Sequence, residues 1–331
     1  MTPPEDAPQT VTKNFYALTP ERVLAAVEVG GRRATGRVLA LNSLENRVYE
    51  VELEDGPPII AKFYRPGRWS REAILDEHAF LRELAEEDIP VAPPLAIDGV
   101  TLATSGDDGL LHALFEKVRG RAPDELMAHE GERLGRLVAR VHHVGGRHAA
   151  LHRPTLDVAT YGAASVKLLV EGPWIPLELQ SRFARVGEAL VSACAKAFAA
   201  APAETLRLHG DLHLGNLLRR GEEILVVDFD DFLAGPPVQD LWLLAPGVDA
   251  GALAARAAIV DGYEELRDFD RRTLRLVEPL RSLRILRYAA WIAQRWDDPA
   301  FTRAFPEFTE HAWWQHEIAT LAEQLERIAA S

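Results

Sequence analysis

The sequence predicts an α+β protein built from two lobes, a small β-rich lobe followed by a larger lobe made mainly of helices. Apolar and polar residues alternate in short runs between residues 37 and 117, which is the pattern of half-buried strands. From residue 118 onwards helical spacing dominates, and one polar hairpin interrupts it. A chain of 331 residues with 47% hydrophobic content is also long enough for two such units.

The first lobe is expected to begin with a helix and to continue as an antiparallel sheet. The helix starts after Thr19, the predicted N-cap, and ends at Gly30–Gly31. Three strands follow around the turns NSLEN and EDGPP, and the last is centred on Ile59–Phe63. A second helix is predicted over residues 70–88, and two more strands over residues 100–118.

The second lobe is expected to be helical around one strand pair. Helical spacing covers residues 130–145 and 176–201, and it returns from about residue 238. Between these segments, the stretch NLLRRGEEILVVDFDD has the pattern of two short strands joined by a turn. We therefore predict that residues 1–117 form the first lobe and residues 118–331 the second.

Charge and cysteine content narrow the classes of partner. A net charge of −13 argues against general nucleic-acid binding, but a few local cations and Mg²⁺ are enough to hold a phosphate ligand. The single cysteine, Cys194, cannot form an intrachain disulfide, which fits a reducing compartment. The sequence has no run of 18 apolar residues and no apolar stretch at its start. We expect a cytoplasmic monomer that binds neither membrane nor nucleic acid.

The stretch HGDLHLGN, residues 209–216, concentrates side chains that carry chemistry. Asn216 follows Asp211 by five positions, and Asp228 comes at the end of the apolar run 224–227. This spacing is typical of a kinase catalytic loop, in which the first Asp accepts the proton of the substrate hydroxyl. The Asn and the second Asp then offer oxygen ligands to Mg²⁺, which neutralises charge on the ATP phosphates.

Two other interpretations of this stretch are open. It is compatible with a surface loop around a buried structural histidine, although the VVDFDD run at this spacing disfavours that. It is also compatible with a metallohydrolase in which His209, Asp211 and His213 bind a transition metal. Such a site needs a further His or Cys ligand, and the histidines of RVHHVGG are predicted to lie on a helix among apolar neighbours.

The kinase interpretation requires a lysine on a strand of the first lobe and a glutamate on the following helix. The stretch IIAKFYRP places Lys62 on the predicted third strand, and Glu77 lies one to two turns into the next helix. We predict that the two form an ion pair. Glu72 and Glu83 are the competing partners for Lys62.

Six stretches spanning residues 41–306 carry a resemblance to known proteins: LNSLENRVYEV, AKFYRPGRW, DEHAFLREL, HGDLHLGNLL, VVDFDDFLAGPPVQDLW and RWDDPAFTRAFP. On these stretches the chain resembles the aminoglycoside phosphotransferase and choline kinase-like superfamily and, more closely, the bacterial stress response kinase A family. The HGDxHxGN pattern marks only the superfamily, whereas NSLENRVY, KFYRPGRW and DFDDxxxGPxVQDLW together mark the family.

The resemblance implies a two-lobed protein kinase-like fold and ATP-dependent phosphorylation of serine or threonine in protein substrates. By position, it makes Asp211 the proton acceptor and Asn216 and Asp228 the Mg²⁺ ligands, with Asp228 also among the catalytic residues. It implies ATP and Mg²⁺ as cofactors, with Mn²⁺ as a substitute.

The resemblance also assigns the nucleotide contacts of the first lobe. Lys62 would meet the α- and β-phosphates, Glu77 would hold Lys62, and Ser43 in the NSLEN turn corresponds to the family's ATP-contact serine. The chain departs from ordinary protein kinases, since it has no G-x-G-x-x-G and it carries His-Gly-Asp and Asp-Phe-Asp in place of His-Arg-Asp and Asp-Phe-Gly. Control by phosphorylation of an activation loop is therefore not expected.

Other residues around the site also have expected roles. Asp230 and Asp231 are expected either to bind a second metal or a cationic substrate, or to cap the turn after the strand. Asp240 is expected to fix the backbone of the catalytic loop, and His209 to pack beneath it and bond a carbonyl. Residues 114–118 are the expected hinge that meets adenine.

The acceptor is not determined by the sequence. The group Trp291, Trp296, Trp313 and Trp314 lies on late helices, where aromatic residues either pack helices together or line a pocket for a cationic acceptor. Three functions therefore stay open: a protein Ser/Thr kinase, a kinase for an amino alcohol or aminosugar, and a non-catalytic nucleotide-binding module.

Overall fold

The structure is a computed structural model that describes residue 12 and residues 15–106, 109–126 and 129–330. Within these residues, a five-stranded antiparallel sheet with flanking helices forms the first lobe, and helices with two short strand pairs form the second. The predicted α+β class and the two-lobed arrangement are confirmed. The last strand of the sheet ends at Glu116, and we propose the division between the lobes after residue 117.

The sheet of the first lobe places Lys62 on the face opposite its first helix. Its strands, in the order β1-β2-β3-β5-β4, are β1 Ala34–Ala40, β2 Arg47–Leu53, β3 Ile59–Phe63, β4 Ala103–Ser105 and β5 Leu110–Glu116. Helix α1 (Pro20–Glu28) packs against Ala61 and Phe63 in one apolar cluster. Because side chains alternate along a strand, Lys62 points to the other side of β3.

Helix α2 (Arg71–Glu86) covers that other side and reaches the second lobe. It begins at Arg71, within the predicted range of residues 70–88, and Ser70 caps it: the hydroxyl accepts a hydrogen bond from the backbone N–H of Ala73 at 3.1 Å. Thr19, by contrast, occupies the N-cap of α1 without a side-chain capping bond. On α2, Phe80 and Leu84 join an apolar cluster that also contains Leu212, from the stretch 209–216.

Helices make up most of the second lobe. In chain order they are α3 Gly131–Gly145, α4 Ala164–Glu171 after a π-helical turn Ala159–Ala163, α5 Leu177–Ala200, α6 Val238–Leu244, α7 Ala250–Glu264, α8 Val277–Gln294, α9 Pro299–Ala304 and α10 His311–Ala330. None of the helices in the described ranges has the length and hydropathy needed to span a bilayer.

Two short strand pairs frame the stretch that the sequence singled out. The predicted hairpin is present as β7 Leu217–Arg220 and β8 Glu223–Val226. A second pair, β6 Leu206–Leu208 and β9 Leu233–Gly235, was not predicted, because each strand has three residues and its partner is distant in sequence. The stretch 209–216 thus lies between β6 and β7, so both ends of this loop are anchored in strands.

Candidate active site

The backbone of the catalytic loop is held by helix α6. The two carboxylate oxygens of Asp240 accept hydrogen bonds from the backbone N–H groups of His209 and Gly210, each at 2.9 Å. The Gln239 side chain donates to the carbonyl oxygen of Gly210 at 2.9 Å. Gly210 has φ of +85°, and a Cβ there would lie 2.4 Å from the carbonyl oxygen of Asp231. The expected structural role of Asp240 is present.

His209 is buried beneath the loop, as expected. Its Nε2 lies 2.9 Å from the carbonyl oxygen of Val227, and its Nδ1 accepts the backbone N–H of Asp211 at 3.3 Å. The imidazole also lies against Phe229, with ring centroids 4.5 Å apart. Since both ring nitrogens are engaged, His209 has no free lone pair for a metal. In the part of the chain that the structure describes, no group of three or more His, Cys, Asp or Glu side chains is arranged to hold a metal ion.

Asp211 lies at the mouth of the site and contacts a cation that sequence analysis missed. Its Oδ1 is 2.5 Å from Nη1 of Arg284 on helix α8, and its Oδ2 is 3.5 Å from Nε2 of His213. Burial acts to raise the pKa of Asp211, but His213 and Arg284 together lower it to about 2. Asp211 is therefore ionised near neutral pH, which is the form that a proton acceptor requires.

The hairpin brings Asn216 and Asp228 to the same end of the site. Pairing of β7 with β8 continues to Val227, whose N–H donates to the carbonyl oxygen of Asn216 at 3.0 Å. The Asn216 side-chain NH₂ donates to the carbonyl oxygen of Asp211 at 2.9 Å, which leaves the amide oxygen for another ligand. One carboxylate and one amide oxygen are thus presented together.

Asp228 has the backbone geometry and surroundings of a constrained functional residue. Its φ of +62° lies in the left-handed region, which non-glycine residues seldom occupy outside turns and functional sites. Asp228 is exposed as a residue, yet protein atoms surround its carboxyl group. The partial loss of water around the carboxyl group raises the pKa of Asp228, and Lys62 acts to lower it. The negative charges of Asp230 and Asp231 raise the pKa further. A carboxylate in such surroundings favours a cation. Mg²⁺ commonly takes one or two protein oxygens and completes its shell with water and phosphate, so Asn216 and Asp228 fit it.

Lys62 is buried between two carboxylates. Its Nζ lies 3.5 Å from Oε1 of Glu77 and 2.7 Å from Oδ1 of Asp230. The predicted ion pair with Glu77 is present, whereas the competing Glu83 pairs with Arg207. Burial acts to lower the pKa of Lys62, but Asp230 and Glu77 raise it well above its usual value, so the side chain stays cationic.

Two arginines that sequence analysis did not name complete this charge network. Arg153 reaches Oε2 of Glu77 at 2.7 Å and donates to the carbonyl oxygen of Asp230 at 2.8 Å. Arg68 binds the carboxylate of Asp230 and lies 2.6 Å from Asp231. Burial acts to raise the pKa of Asp230, but Arg68 and Lys62 hold it well below the usual range. Asp230 therefore joins two cations, a role that neither of its predicted interpretations contained.

The NSLEN turn is held in place without glycine. The Ser43 hydroxyl accepts the backbone N–H of Asn46 at 3.3 Å. The guanidinium of Arg65 donates to the carbonyl oxygens of Glu45 and Leu44, each at 2.9 Å. A single arginine thus fixes the backbone of the turn that carries Ser43.

Two of the six family-like stretches, LNSLENRVYEV and RWDDPAFTRAFP, contact each other across the two lobes. Glu45 accepts hydrogen bonds from Trp291 on α8 at 2.6 Å and from Nη2 of Arg295, the residue after α8, at 2.9 Å. Arg65 also reaches the carboxylate of Asp298 at 2.8 Å. The NSLEN turn is therefore tied directly to the second lobe.

The aromatic group divides into two. Trp291 bonds Glu45 and contacts Phe301, with ring centroids 4.8 Å apart. Trp296, Trp313 and Trp314 instead gather around Phe308 and pack the late helices together. For those three, the packing interpretation holds.

Comparison with known proteins adds to this geometry. The Phosphotransferase enzyme family (APH) matches residues 37–277, more than half of the chain. Stress response kinase A of Escherichia coli (strain K12) is 38% identical over 310 residues, covering 94% of this chain and 93% of that protein. The serine/threonine protein kinase RdoA of Salmonella typhimurium is similar to the same extent, at 38%. Among solved structures, amicoumacin kinase hAmiN in complex with AMP-PNP, Ca²⁺ and Ami aligns with a TM-score of 0.76 at 22% identity, covering 97% of this chain and 96% of that one.

Proposed function

Because the chain belongs to the stress response kinase A family, within the Phosphotransferase enzyme family, we propose that it transfers the γ-phosphoryl group of ATP to a serine or threonine hydroxyl of a protein. One observation carries the phosphoryl-transfer part of this proposal, and the names of the relatives support the protein acceptor. Ionised Asp211, the oxygen pair of Asn216 and Asp228, and the buried cation Lys62 converge on one site from both lobes. These are the groups that phosphoryl transfer needs.

Asp211 is the proposed proton acceptor. In this role it orients the acceptor hydroxyl and takes its proton as the oxygen attacks the γ-phosphorus. Its pKa of about 2 makes it a weak base, so its main contribution is to position the hydroxyl and to stabilise the developing positive charge on it. The bonds from Asp240 to the loop keep Asp211 in place before the substrate arrives.

Asn216 and Asp228 are the proposed ligands of Mg²⁺, and Mn²⁺ is the expected substitute. When bound, the metal neutralises negative charge on the phosphates of ATP. Lys62 supplies a second positive charge for the α- and β-phosphates, and Glu77 holds it in a fixed direction. Ser43 is the proposed nucleotide contact of the turn that Arg65 fixes.

A small-molecule acceptor is the second candidate, because a structural neighbour is an amicoumacin kinase. That likeness is at 22% identity and supports the fold alone, whereas the relatives at 38% identity are named as stress response and serine/threonine protein kinases. A non-catalytic module is disfavoured because no member of the catalytic set is missing. A cytoplasmic site of action fits the need for ATP and the single cysteine.

The test is transfer from γ-labelled ATP to protein and to small-molecule acceptors in parallel. We expect label on serine or threonine of a generic protein substrate, and no label on a panel of amino alcohols and aminosugars. Asp211→Asn is the control, because it removes the acceptor base while leaving the nucleotide contacts in place. Label on the small molecules alone would overturn the protein-kinase proposal.

A further inference from the structure

Helix α8 brings a basic face to the catalytic base. Residues 279–296 contain four arginines and neither aspartate nor glutamate, in a chain whose net charge is −13. Two of the four have structural partners. Arg281 binds Glu278 at 3.1 Å and the carbonyl oxygen of Pro246 at 2.6 Å, and Arg295 binds Glu45. The other two, Arg284 and Arg287, lie one turn apart on the helix.

Arg284 pairs with the proposed base. Its guanidinium lies 2.5 Å from Oδ1 of Asp211, and 43% of its side chain is exposed. The described residues offer it no other carboxylate within ion-pair distance. A partly exposed arginine in this position occupies Oδ1, one of the two carboxylate oxygens to which an acceptor hydroxyl could donate. Arg284 must therefore move, or share Asp211, when the acceptor binds.

Arg287 has no carboxylate partner at all within the described ranges. Its guanidinium carbon lies 5.6 Å from the ring centroid of Tyr161, a contact that uses the face of the guanidinium and not its N–H groups. A guanidinium presents a planar fork of N–H groups that suits a carboxylate in a bidentate arrangement. Two such forks beside the base form a site for an anionic ligand.

The acidic groups near this face do not cancel its charge. Asp231 is held by Arg68 at 2.6 Å. Burial raises the pKa of Tyr288 on α8, and Glu317 on α10 lies close enough to that tyrosine to raise it further. Burial raises the pKa of Glu317 itself to about 7, so its negative charge is only partly present at neutral pH. A site built for a cationic acceptor would instead present unpaired carboxylates beside the base.

Resting on the proposed function, we infer that the acceptor is an acidic segment of a protein, in which carboxylates flank the serine or threonine and are recognised by Arg284 and Arg287. A flanking carboxylate exchanges places with Asp211 as the partner of Arg284. This exchange frees Oδ1 of Asp211 for the hydroxyl. Binding of the acidic flank to Arg284 therefore also exposes the base. Acidic acceptors are favoured over neutral ones, because a neutral flank cannot replace Asp211 as the partner of Arg284.

Three synthetic peptides test this inference, each with one central serine flanked on both sides by glutamates, by glutamines or by lysines. For the native chain, kcat/KM is expected to be at least about tenfold higher for the glutamate peptide than for the glutamine peptide, and lowest for the lysine peptide. In Arg284→Gln and in Arg287→Gln this ratio should fall toward one. Arg327→Gln is the matched control, because it removes an exposed arginine paired with Glu323 on α10, and it should keep the native ratio.

The measured quantity is the ratio of kcat/KM for the glutamate peptide to kcat/KM for the glutamine peptide within one variant, so a general loss of activity cancels. Arg287→Gln does not touch Asp211 and therefore tests recognition even if Arg284→Gln folds poorly. Equal rates for the glutamate and glutamine peptides, or a native ratio in Arg287→Gln, would overturn the acidic acceptor while leaving the kinase intact. Transfer to ethanolamine but to no peptide would overturn the proposed function, and the inference with it.

Discussion

Removing the Glu77 carboxylate is expected to weaken the fold as well as the chemistry. Glu77 joins Lys62 at 3.5 Å and Arg153 at 2.7 Å, and the Arg153 side chain has no exposed surface. Breaking a buried ion pair by removing one partner typically costs about 3–5 kcal/mol, because a buried charge loses its counter-ion. Glu77→Ala should therefore lower the free energy of unfolding by about that amount. Glu77→Gln keeps the volume and an acceptor oxygen for Arg153, so it is the variant for kinetics.

The effect of Glu77→Gln on transfer should be smaller than that of Lys62→Ala. Asp230 lies 2.7 Å from Lys62 and still holds it when Glu77 is neutral, so we expect a loss of about tenfold. Lys62→Ala removes the phosphate contact itself and should cost about 10²–10³ in rate. In the double variant Glu77 has no lysine left to orient, so the loss should stay close to that of Lys62→Ala alone.

The assay is a double-mutant cycle on the rate of transfer from ATP, with urea unfolding of each variant as the control for folding. The coupling energy is expected to approach about 1.4 kcal/mol, because the double variant should lose no more than Lys62→Ala and the tenfold effect of Glu77→Gln corresponds to about that energy. Additive losses would refute the reasoning, because they would mean that Glu77 acts independently of Lys62. A Glu77→Ala variant as stable as the native chain would separately contradict the expectation that removing Glu77 leaves a costly unpaired charge in the interior.

Three further outcomes are expected. Asp211→Asn should fold and bind ATP normally but lose about 10²–10⁴ in transfer rate, and near-normal turnover would remove Asp211 from the mechanism. Transfer should stop with EDTA and return with Mg²⁺ or Mn²⁺, because Asn216 and Asp228 are oxygen donors; stoichiometric zinc by elemental analysis would revive the metallohydrolase interpretation. Arg284 helps to lower the pKa of Asp211 to about 2, so the ionised base persists to low pH in the native chain. In Arg284→Gln that pKa should rise and the acidic limb of kcat/KM should move to higher pH, whereas an unmoved limb would show that Arg284 does not act on Asp211.

The features that sequence alone determined are those with a local pattern. Strand β3 lies over Ile59–Phe63 and α2 begins after Ser70, because alternation and a capping side chain are properties of neighbouring residues. The spacing of Asp211, Asn216 and Asp228 was also readable, since only a short loop and one hairpin separate them along the chain. The six family-like stretches pointed to the same site, but the sequence did not show which contacts each stretch makes.

Tertiary structure decided the partners of these residues. Arg284 reaches Asp211 from 73 positions away, and Arg153 reaches Glu77 from 76 positions away. Glu45 meets Arg295 across 250 positions, which explains two family-like stretches as the halves of one contact. Ion pairs and hydrogen bonds act over a few ångströms of space, and spacing along the chain does not encode which charged side chains folding will bring that close.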